Sequence, residues 1–115
     1  MNWIGEIAVF SGNAHRGLAH AVSDSLSVSI GEVDVFQFSN QNIFVRYLEN
    51  IRHKDVFIIQ PHARPVNDSI MELLIMIDAA KRASAGRVTA VIPYYAYGRT
   101  DKKDQPRVPI TARLL

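Results

Sequence analysis

Two polar segments of the chain combine residue types that can bind a phosphorylated ligand. The first, residues 93–104, has the sequence PYYAYGRTDKKD and directly follows an apolar run. Its arginine and lysines can neutralise phosphate groups, and its tyrosines can stack or pack. Its two aspartates can brace those cations or hold the water of a Mg²⁺ ion. A solvated charged loop over a tyrosine cluster explains the same residues, so this chemistry leaves both interpretations open.

The second segment, residues 38–42, has the sequence FSNQN and lies between two stretches with strand character. Asparagine and glutamine amides can pair with the hydrogen-bonding edge of a nucleobase, and Phe38 can stack on its ring. A polar hairpin turn explains the same residues without any ligand. The segment is therefore a candidate base-binding site with a purely structural alternative.

Other catalytic and metal-binding patterns are missing from the sequence. The four histidines, at positions 15, 20, 53 and 62, show no metal-ligand spacing, which favours surface or loop positions for them. The chain has no cysteine, which excludes a disulfide, a thiol nucleophile and a cysteine–zinc site. The glycine motifs of dinucleotide-binding and P-loop proteins are absent, and no serine lies in a nucleophile elbow.

The composition is that of a globular domain with an uneven charge distribution. The 115 residues are 48% apolar and 21% charged, which excludes disordered and collagen-like chains. No apolar run approaches the ~18 residues of a membrane span, and the N-terminus lacks a signal-peptide pattern. Residues 1–80 carry a net charge of −4 and residues 81–115 a net charge of +6. The basic C-terminal third favours an anionic partner, although a solvated basic helix face has the same composition.

The candidate segments must be positioned by strands and helices that alternate along the chain. Apolar runs predict strands, and apolar residues at helical spacing predict a helix over residues 15–26 and another after the loop PHARPVN. This alternation predicts an α/β domain with a mainly parallel sheet flanked by helices, whose ligands bind beyond the carboxyl ends of the strands. The predicted strands cover residues 7–10, 33–38, 42–49, 56–60 and 88–93.

The helix after PHARPVN has the clearest start and stop signals. Asn67 or Asp68 is the expected N-cap, and Gly86 is the expected C-terminal stop. The basic last turn, Lys81–Arg82, suits the negative end of the helix dipole. The apolar stripe expected to face the core consists of Ile70, Leu73, Leu74, Ile77 and Ala80.

The last residues of the sequence predict only the first turns of a helix. Pro109 suits a first helical position, and only about two turns separate it from Leu115. We therefore expect the chain to stop inside a larger domain.

Several stretches of the chain occur in an order and with a spacing that match one known family: FSGNAHRGLA, FSNQ, NIRHKDVFIIQ, the run from PVNDS to TDKKD, and RVPITARLL. Through them, nearly the whole chain resembles the N-terminal part of the ribose-phosphate pyrophosphokinase (PRPP synthetase) family. The resemblance implies that residues 1–115 form an incomplete phosphoribosyltransferase-like N-terminal domain, with the C-terminal catalytic domain outside this chain. It also implies the family's reaction, in which the diphosphoryl group of Mg-ATP is transferred to ribose 5-phosphate to give PRPP and AMP.

The resemblance further implies an ATP site shared between like subunits of a homo-oligomer. The FSNQN segment of one subunit would reach the adenine, and the YGRTDKKD segment of its neighbour would contact the rest of ATP. Mg²⁺ would enter with ATP, with its protein ligands outside this chain, and a regulatory ADP or phosphate site would involve Arg52 and Ser84. The implied ATP-binding residues are Phe38, Asn40, Gln41, Asn42, Arg99, Thr100, Lys102 and Asp104.

Two departures from the family pattern keep a second hypothesis open: Asn42 stands where the family usually has glutamate, and Thr100 where it has glutamine. A third departure, His53 where the family has glycine, bears on the implied regulatory site instead. Asparagine is shorter than glutamate and lacks its charge, and threonine is shorter than glutamine. The preference for one nucleotide over another is therefore open to change. The second hypothesis is a non-catalytic relative that binds or regulates the enzyme.

A third hypothesis, nucleic-acid binding through residues 81–115, predicts salt-sensitive binding to any polyphosphate chain. The basic residues fall within the ATP motif, which disfavours it. We expect ATP, ribose 5-phosphate and like subunits as partners, neither nucleic acid nor a membrane, and a cytoplasmic location.

The family's metal-binding histidine, catalytic loop and ribose-phosphate loop would lie beyond Leu115. We therefore expect no catalytic residue in this chain and no synthetase activity from it alone.

Overall fold

The computed structural model describes residues 5–93, which form a parallel sheet, an antiparallel hairpin and two helices. The elements are β1 (Ile7–Ser11), α1 (Arg16–Ser25), β2 (Val33–Gln37), β3 (Ile43–Tyr47), β4 (Asp55–Ile59), α2 (Val66–Arg82) and β5 (Arg87–Val91). The parallel sheet has the strand order β1-β4-β5, and β2 pairs with β3 in the hairpin. The predicted α/β fold with a mainly parallel sheet is confirmed. Neither α1 nor α2 is long and apolar enough to cross a membrane.

The central strand of the parallel sheet is β4, and it is apolar on both faces. Val56 and Ile58 belong to the core on the side of α2, whereas Ile59 belongs to the cluster on the side of α1. Strands buried on both faces have continuous apolar sequences. The run VFIIQ therefore predicts a central parallel strand, and the structure confirms it.

One face of the sheet is covered by α1. The Nδ1 atom of His15, the N-cap residue, accepts a hydrogen bond of 3.0 Å from the N–H of Leu18. Behind this cap, Ala19 packs against Val9 and Ile59. The predicted helix over residues 15–26 thus differs from α1 only by its two cap residues.

The β2–β3 hairpin packs one of its faces against the main core and exposes the other. Val35 pairs with Val45, and both join the core on the side of α2. Phe36 pairs with Phe44 on the opposite, outward face, where Phe36 is 44% exposed. This arrangement explains why apolar residues occur on both faces of the predicted strand over 42–49.

The buried face of α2 is rotated from the predicted stripe. Ile70, Leu73 and Ala80 are buried as predicted, but Leu74 is 46% exposed and Met76 is fully buried. The helix packs against the hairpin as well as the sheet, because β3 lies alongside it. The second contact surface turns Met76 inward and leaves Leu74 in solvent.

The predicted N-cap of α2 is wrong. Pro65 occupies the N-cap with a φ of −67°, one residue before the helix starts at Val66, and it makes no side-chain capping bond. Asn67 and Asp68 therefore lie inside the first turn. Proline suits this end of a helix because its φ is fixed in the required range and it carries no N–H to satisfy.

The predicted C-terminal stop of α2 is also wrong. Ser84, not Gly86, adopts the left-handed conformation, with a φ of 65°. Its N–H donates to the carbonyl of Lys81 (3.0 Å), and the N–H of Ala85 donates to that of Ala80 (3.2 Å), which is the Schellman pattern. Gly86 instead allows a close backbone approach, because a Cβ there would lie 2.7 Å from the carbonyl oxygen of His53.

Candidate functional site

The FSNQN segment forms the exposed turn between β2 and β3. The turn is closed by a 2.8 Å hydrogen bond from the N–H of Phe38 to the carbonyl of Asn42. Gln41 adopts a left-handed φ of 70°, and its N–H donates to the carbonyl of Phe38. The N–H of Asn42 donates to Oδ1 of Asn40 at 3.1 Å. The predicted residues Phe38, Asn40, Gln41 and Asn42 thus lie together in one compact hairpin turn.

An aromatic cluster supports this turn on the outward face of the hairpin. The ring centroid of Phe38 lies 5.4 Å from that of Phe36 and 5.8 Å from that of Phe44. Phe38 remains 49% exposed, so much of its ring is open to solvent. The turn therefore offers an aromatic surface beside three amide side chains, which have the chemistry to stack on a base and to pair with its edge.

The carboxyl ends of the three parallel strands meet at one edge of the sheet. Ser11 is in register with Ile59, and Ile59 with Val91, so β1, β4 and β5 end side by side. The predicted basic segment begins directly beyond β5. Its site residues Arg99, Thr100, Lys102 and Asp104 lie outside the described residues.

A polar cluster made of Asn13, Gln60, Ser69 and Glu72 lies at the same edge. The side chain of Glu72 accepts hydrogen bonds from the N–H and Nδ2 of Asn13 and from Nε2 of Gln60. Gln60 is fully buried, and its Oε1 accepts from the N–H of Ala14 at 3.1 Å. The cluster joins the loops that follow β1 and β4 to the first turns of α2.

A cleft of about 280 Å³ opens beside the polar cluster. It extends from the carboxyl edge of the sheet to the outward face of the hairpin, which places Phe36 and Glu72 in one concave surface. Ligands of open α/β sheets bind at this edge. The lining residues are Asn13, Ala14, Phe36, Gln37, Gln60, Arg64, Pro65, Asp68, Ser69 and Glu72.

The predicted regulatory residues lie on two segments that touch one another. The N–H of His53 donates to the carbonyl of Ser84 at 2.9 Å, and Arg52 directly precedes His53. The N–H of Arg52 donates to Oδ1 of Asn50, and both Arg52 and Ser84 are exposed. The structure thus brings the two residues onto one surface, and their regulatory role stays a prediction.

Two titratable side chains have pKa values shifted by burial. Burial lowers the pKa of His62, which lies in the loop after β4 and is 2% exposed. The expected loop position of this histidine is right, but a surface position is wrong for it. Burial also raises the pKa of Tyr47, whose hydroxyl donates to the carbonyl of Met76 at 2.8 Å.

The comparison with known families decides the membership of the chain. The model for the N-terminal domain of ribose phosphate pyrophosphokinase matches residues 7–115. The chain belongs to this family. The matched range includes both the FSNQN turn and the basic segment.

Relatives named ribose-phosphate pyrophosphokinase are similar along almost the entire chain. The protein of Deinococcus radiodurans is 56% identical over 109 residues, which make up 95% of this chain and 34% of that protein. The protein of Thermotoga maritima is 49% identical over 115 residues, the whole of this chain and 36% of that protein. The chain thus spans about a third of the length of these curated relatives.

A solved structure has the same fold. The crystal structure of phosphoribosylpyrophosphate synthetase from Mycobacterium smegmatis matches with a TM-score of 0.93 and 46% sequence identity. The match covers 96% of this chain and 37% of that one. The phosphoribosyltransferase-like fold implied by the resemblance to the pyrophosphokinase family is therefore confirmed.

The polar cluster was not predicted from the sequence. Glu72 interrupts the apolar sequence of α2 at a position that turns inward, and Gln60 ends the apolar run of β4. Polar residues at buried positions signal a hydrogen-bonded network. Their partners could not be read from the sequence, since Asn13 and Glu72 are separated by 59 positions.

Proposed function

We propose that this chain carries part of the ATP site of a ribose-phosphate diphosphokinase. The reaction transfers the diphosphoryl group of Mg-ATP to ribose 5-phosphate and yields PRPP and AMP. The observation that carries the proposal is the exposed FSNQN turn in a chain of this family, because it presents the half-exposed ring of Phe38 beside amide side chains. The supporting comparison is with relatives that bear the enzyme's name.

In this proposal, the turn binds the adenine base. The ring of Phe38 stacks on the base, and the side chains of Asn40, Gln41 and Asn42 meet its hydrogen-bonding edge. The hydrogen bonds described for Asn42 use only its backbone N–H and carbonyl, so its amide can serve a ligand without opening the turn.

The basic segment binds the phosphates in the same proposal. Arg99 and Lys102 neutralise the phosphate oxygens, Thr100 adds a hydrogen bond, and Asp104 orients the neighbouring cations. The turn projects from the domain on a hairpin, so it can serve the ATP of a neighbouring copy. We therefore propose a homo-oligomer in which each ATP site combines the turn of one subunit with the basic segment of another.

Mg²⁺ enters this proposal as the counter-ion of the ATP phosphates. Between residues 5 and 93, no three His, Asp or Glu side chains lie close enough to hold a metal ion. No step is therefore assigned to a metal ion held by these residues. When bound with ATP, the ion neutralises charge on the phosphates that are transferred.

Ribose 5-phosphate is the proposed second substrate, with its pocket outside this chain. Diphosphoryl transfer requires the acceptor hydroxyl to be held in line with the phosphates, which half of an ATP site does not achieve. We accordingly propose that the 115-residue chain alone is inactive and that the whole protein works in the cytoplasm. Formation of AMP and PRPP from Mg-ATP and ribose 5-phosphate by this polypeptide alone would overturn the first of these statements.

The second candidate is a non-catalytic family member that binds or regulates the enzyme. The specific observations in its favour are Asn42 and Thr100, which replace the longer side chains usual in the family. A regulatory relative can lose affinity for ATP while retaining its contacts with other subunits. Nucleotide affinity therefore separates the two functions.

Calorimetric titration of the folded chain with Mg-ATP tests the proposal. We expect binding that is weakened at least tenfold by Phe38→Ala and by Arg99→Ala. Arg82→Ala is the matched control, because it removes the same charge from the exposed end of α2, where Arg82 pairs with Asp78 at 2.9 Å. Equal binding by all four proteins would contradict the proposed site, and an absence of binding by a wild-type chain that is folded and assembled into an oligomer would favour the regulatory relative.

A titration with single-stranded oligonucleotide, repeated at several salt concentrations, tests the nucleic-acid hypothesis. Counterion release makes such binding fall steeply with salt. We expect no such binding. Tight, salt-sensitive binding of the oligonucleotide with no preference for Mg-ATP would contradict the proposed nucleotide site and favour a surface that binds nucleic acid.

A further inference from the structure

In the polar cluster, the donor and the acceptor of each hydrogen bond cannot be exchanged. Oδ1 of Asn13 accepts from the guanidinium of Arg16, which can only donate, so Nδ2 of Asn13 must be the donor to its other partners. One partner is the carbonyl of Val35 in β2, at 3.0 Å, and another is Oε2 of Glu72, at 3.3 Å. The orientation of the Asn13 amide is therefore fixed.

The orientation of Gln60 is fixed in the same way. Its Oε1 accepts from a backbone N–H, that of Ala14, and its Nε2 donates to the carbonyl of Ser69 (3.3 Å) and to Oε1 of Glu72 (3.1 Å). The N–H of Asn13 also donates to Oε1 of Glu72. Both oxygens of Glu72 thus face donors that cannot be reversed, and a side chain with a donor at either position does not fit.

This network reaches the hairpin close to the FSNQN turn. The carbonyl that accepts from Asn13 belongs to Val35, three residues before the turn begins at Phe38. The hairpin is also tied to α2 by the hydrogen bond from the hydroxyl of Tyr47 to the carbonyl of Met76, at the end of β3 that is far from the turn. Beyond Val35, the side chains of Phe36 and Phe38 are about half exposed, and their ring contacts with each other and with Phe44 lie within the hairpin, so these contacts do not tie the turn to the rest of the domain.

We infer that Glu72 is a positioning residue for the nucleotide site. By holding Asn13 in the orientation that binds Val35, it fixes the direction in which the hairpin projects, and with it the FSNQN turn. The inference rests on the proposed function for its effect on ATP. Its effect on the position of the turn stands independently, because it follows from the hydrogen bonds alone.

The substitution Glu72→Gln tests the inference with nearly unchanged shape. The new amide can keep its oxygen toward Gln60 and the N–H of Asn13, but its Nε2 then meets Nδ2 of Asn13, donor against donor. Asn13 cannot turn its amide to accept, because its oxygen would then face the carbonyl of Val35. We expect the hairpin to lose the hydrogen bond at the Val35 carbonyl, while the Val35 side chain stays in the core, and the turn to occupy a wider range of positions.

Spin labels measure this range directly. The chain contains no cysteine, so the substitutions Ser39→Cys in the turn and Lys81→Cys near the end of α2 create two unique labelling sites. We expect the distance distribution between the labels to broaden or shift in Glu72→Gln. The matched control is Leu73→Val, which removes a methylene from the neighbouring core position and leaves the polar cluster intact. It should lower the melting temperature without changing the distance distribution.

A double variant separates positioning from stability. In Asn13→Asp combined with Glu72→Gln, the new amide can donate to the new carboxylate, which restores the contact between the loop and α2. The carbonyl of Val35 then faces a carboxylate oxygen instead of a donor, so its hydrogen bond is not restored. We expect the melting temperature to recover only in part while the distance distribution stays altered. Recovery of the wild-type distance distribution would contradict the assignment.

Calorimetry with Mg-ATP completes the test. If the turn binds the base, Glu72→Gln should weaken binding roughly tenfold, whereas Leu73→Val should not. An unchanged distance distribution in Glu72→Gln overturns the inference, even if the wild-type chain binds ATP. A changed distribution in a folded chain that does not bind ATP overturns the proposed function and leaves the positioning of the turn by Glu72 in place.

Discussion

The guanidinium of Arg87 holds the carboxylate of Asp55 across the first residue pair of β4 and β5. Nε of Arg87 lies 3.0 Å from Oδ1 of Asp55, and its NH2 nitrogen lies 2.7 Å from Oδ2. Asp55 is buried, whereas 58% of the arginine side chain is exposed. Two parallel hydrogen bonds of this kind fix both partners, so the pair sets the register at which the two strands begin.

Because of this pair, the stability of the domain should depend on pH in the acidic range. The hydrogen bonds and charge of Arg87 lower the pKa of Asp55 from its ordinary value. A lowered folded pKa contributes stability above the unfolded pKa, near 3.9, and that contribution is lost as pH falls through the folded pKa. We expect Arg87→Met to lower the melting temperature at pH 7, with the difference from wild type shrinking below about pH 4.

The exposed pair of Arg82 and Asp78 is the control for this prediction. It has the same residue types at 2.9 Å, but both side chains are more than half exposed. Solvent screens such pairs strongly. Arg82→Met should therefore change the melting temperature less than Arg87→Met at pH 7, and thermal melts followed by circular dichroism from pH 3 to 7 measure both. An equal effect of the two substitutions would show that the buried pair is no stronger than the exposed one.

Ser84 ends α2 in a conformation that glycine adopts more easily. Its φ of 65° brings the Cβ atom close to the backbone, which costs about 1 kcal/mol in a residue other than glycine. We expect Ser84→Gly to stabilise the domain by roughly 0.5 to 1 kcal/mol, measured by urea unfolding. Ser27, at a φ of 55° after α1, should respond in the same direction. A loss of stability in Ser84→Gly would indicate that the serine hydroxyl makes a stabilising contact.

Two glycines should respond to alanine in opposite directions. A Cβ on Gly86 would lie 2.7 Å from the carbonyl oxygen of His53, so the backbone must shift, and we expect Gly86→Ala to destabilise by about 1 to 3 kcal/mol. A Cβ on Gly17, within α1, would have its nearest neighbour at 3.5 Å, and we expect Gly17→Ala to stabilise by up to about 1 kcal/mol. Urea unfolding of both variants checks the opposite signs. A neutral Gly86→Ala would mean that the segment at His53 moves freely.

The features predicted correctly from the sequence depend on local pattern. The apolar run of β4 marks it as central, because burial on both faces removes the alternation seen in half-exposed strands. The FSNQN turn is equally local, since its closing hydrogen bonds join residues within the segment. Such features leave their signature within a few neighbouring residues.

Several features were predicted wrongly because they depend on contacts distant in sequence. Met76 replaces Leu74 in the core because the β2–β3 hairpin packs along α2, and no periodicity within the helix reports that contact. Gly86 is needed for the approach of His53 rather than for the helix end. The partners of Glu72 lie 12 and 59 positions away, which is why its network was not predicted.

Asn42 provides the sharpest test of base recognition by the turn. If its side chain meets the exocyclic amine of adenine, Asn42→Glu should bind ATP roughly five- to tenfold more tightly, because a charged acceptor forms a stronger hydrogen bond. The same carboxylate would repel the carbonyl oxygen of guanine, so the preference for ATP over GTP should grow.

Asn42→Gln is the control for Asn42→Glu, since it adds length without charge and should recover only the part of the gain in affinity that comes from reach. Calorimetric titration of the three proteins with both nucleotides measures these ratios, and the local backbone bonds of Asn42 protect the turn in each variant. An unchanged preference across the three would place the base contact elsewhere in the chain.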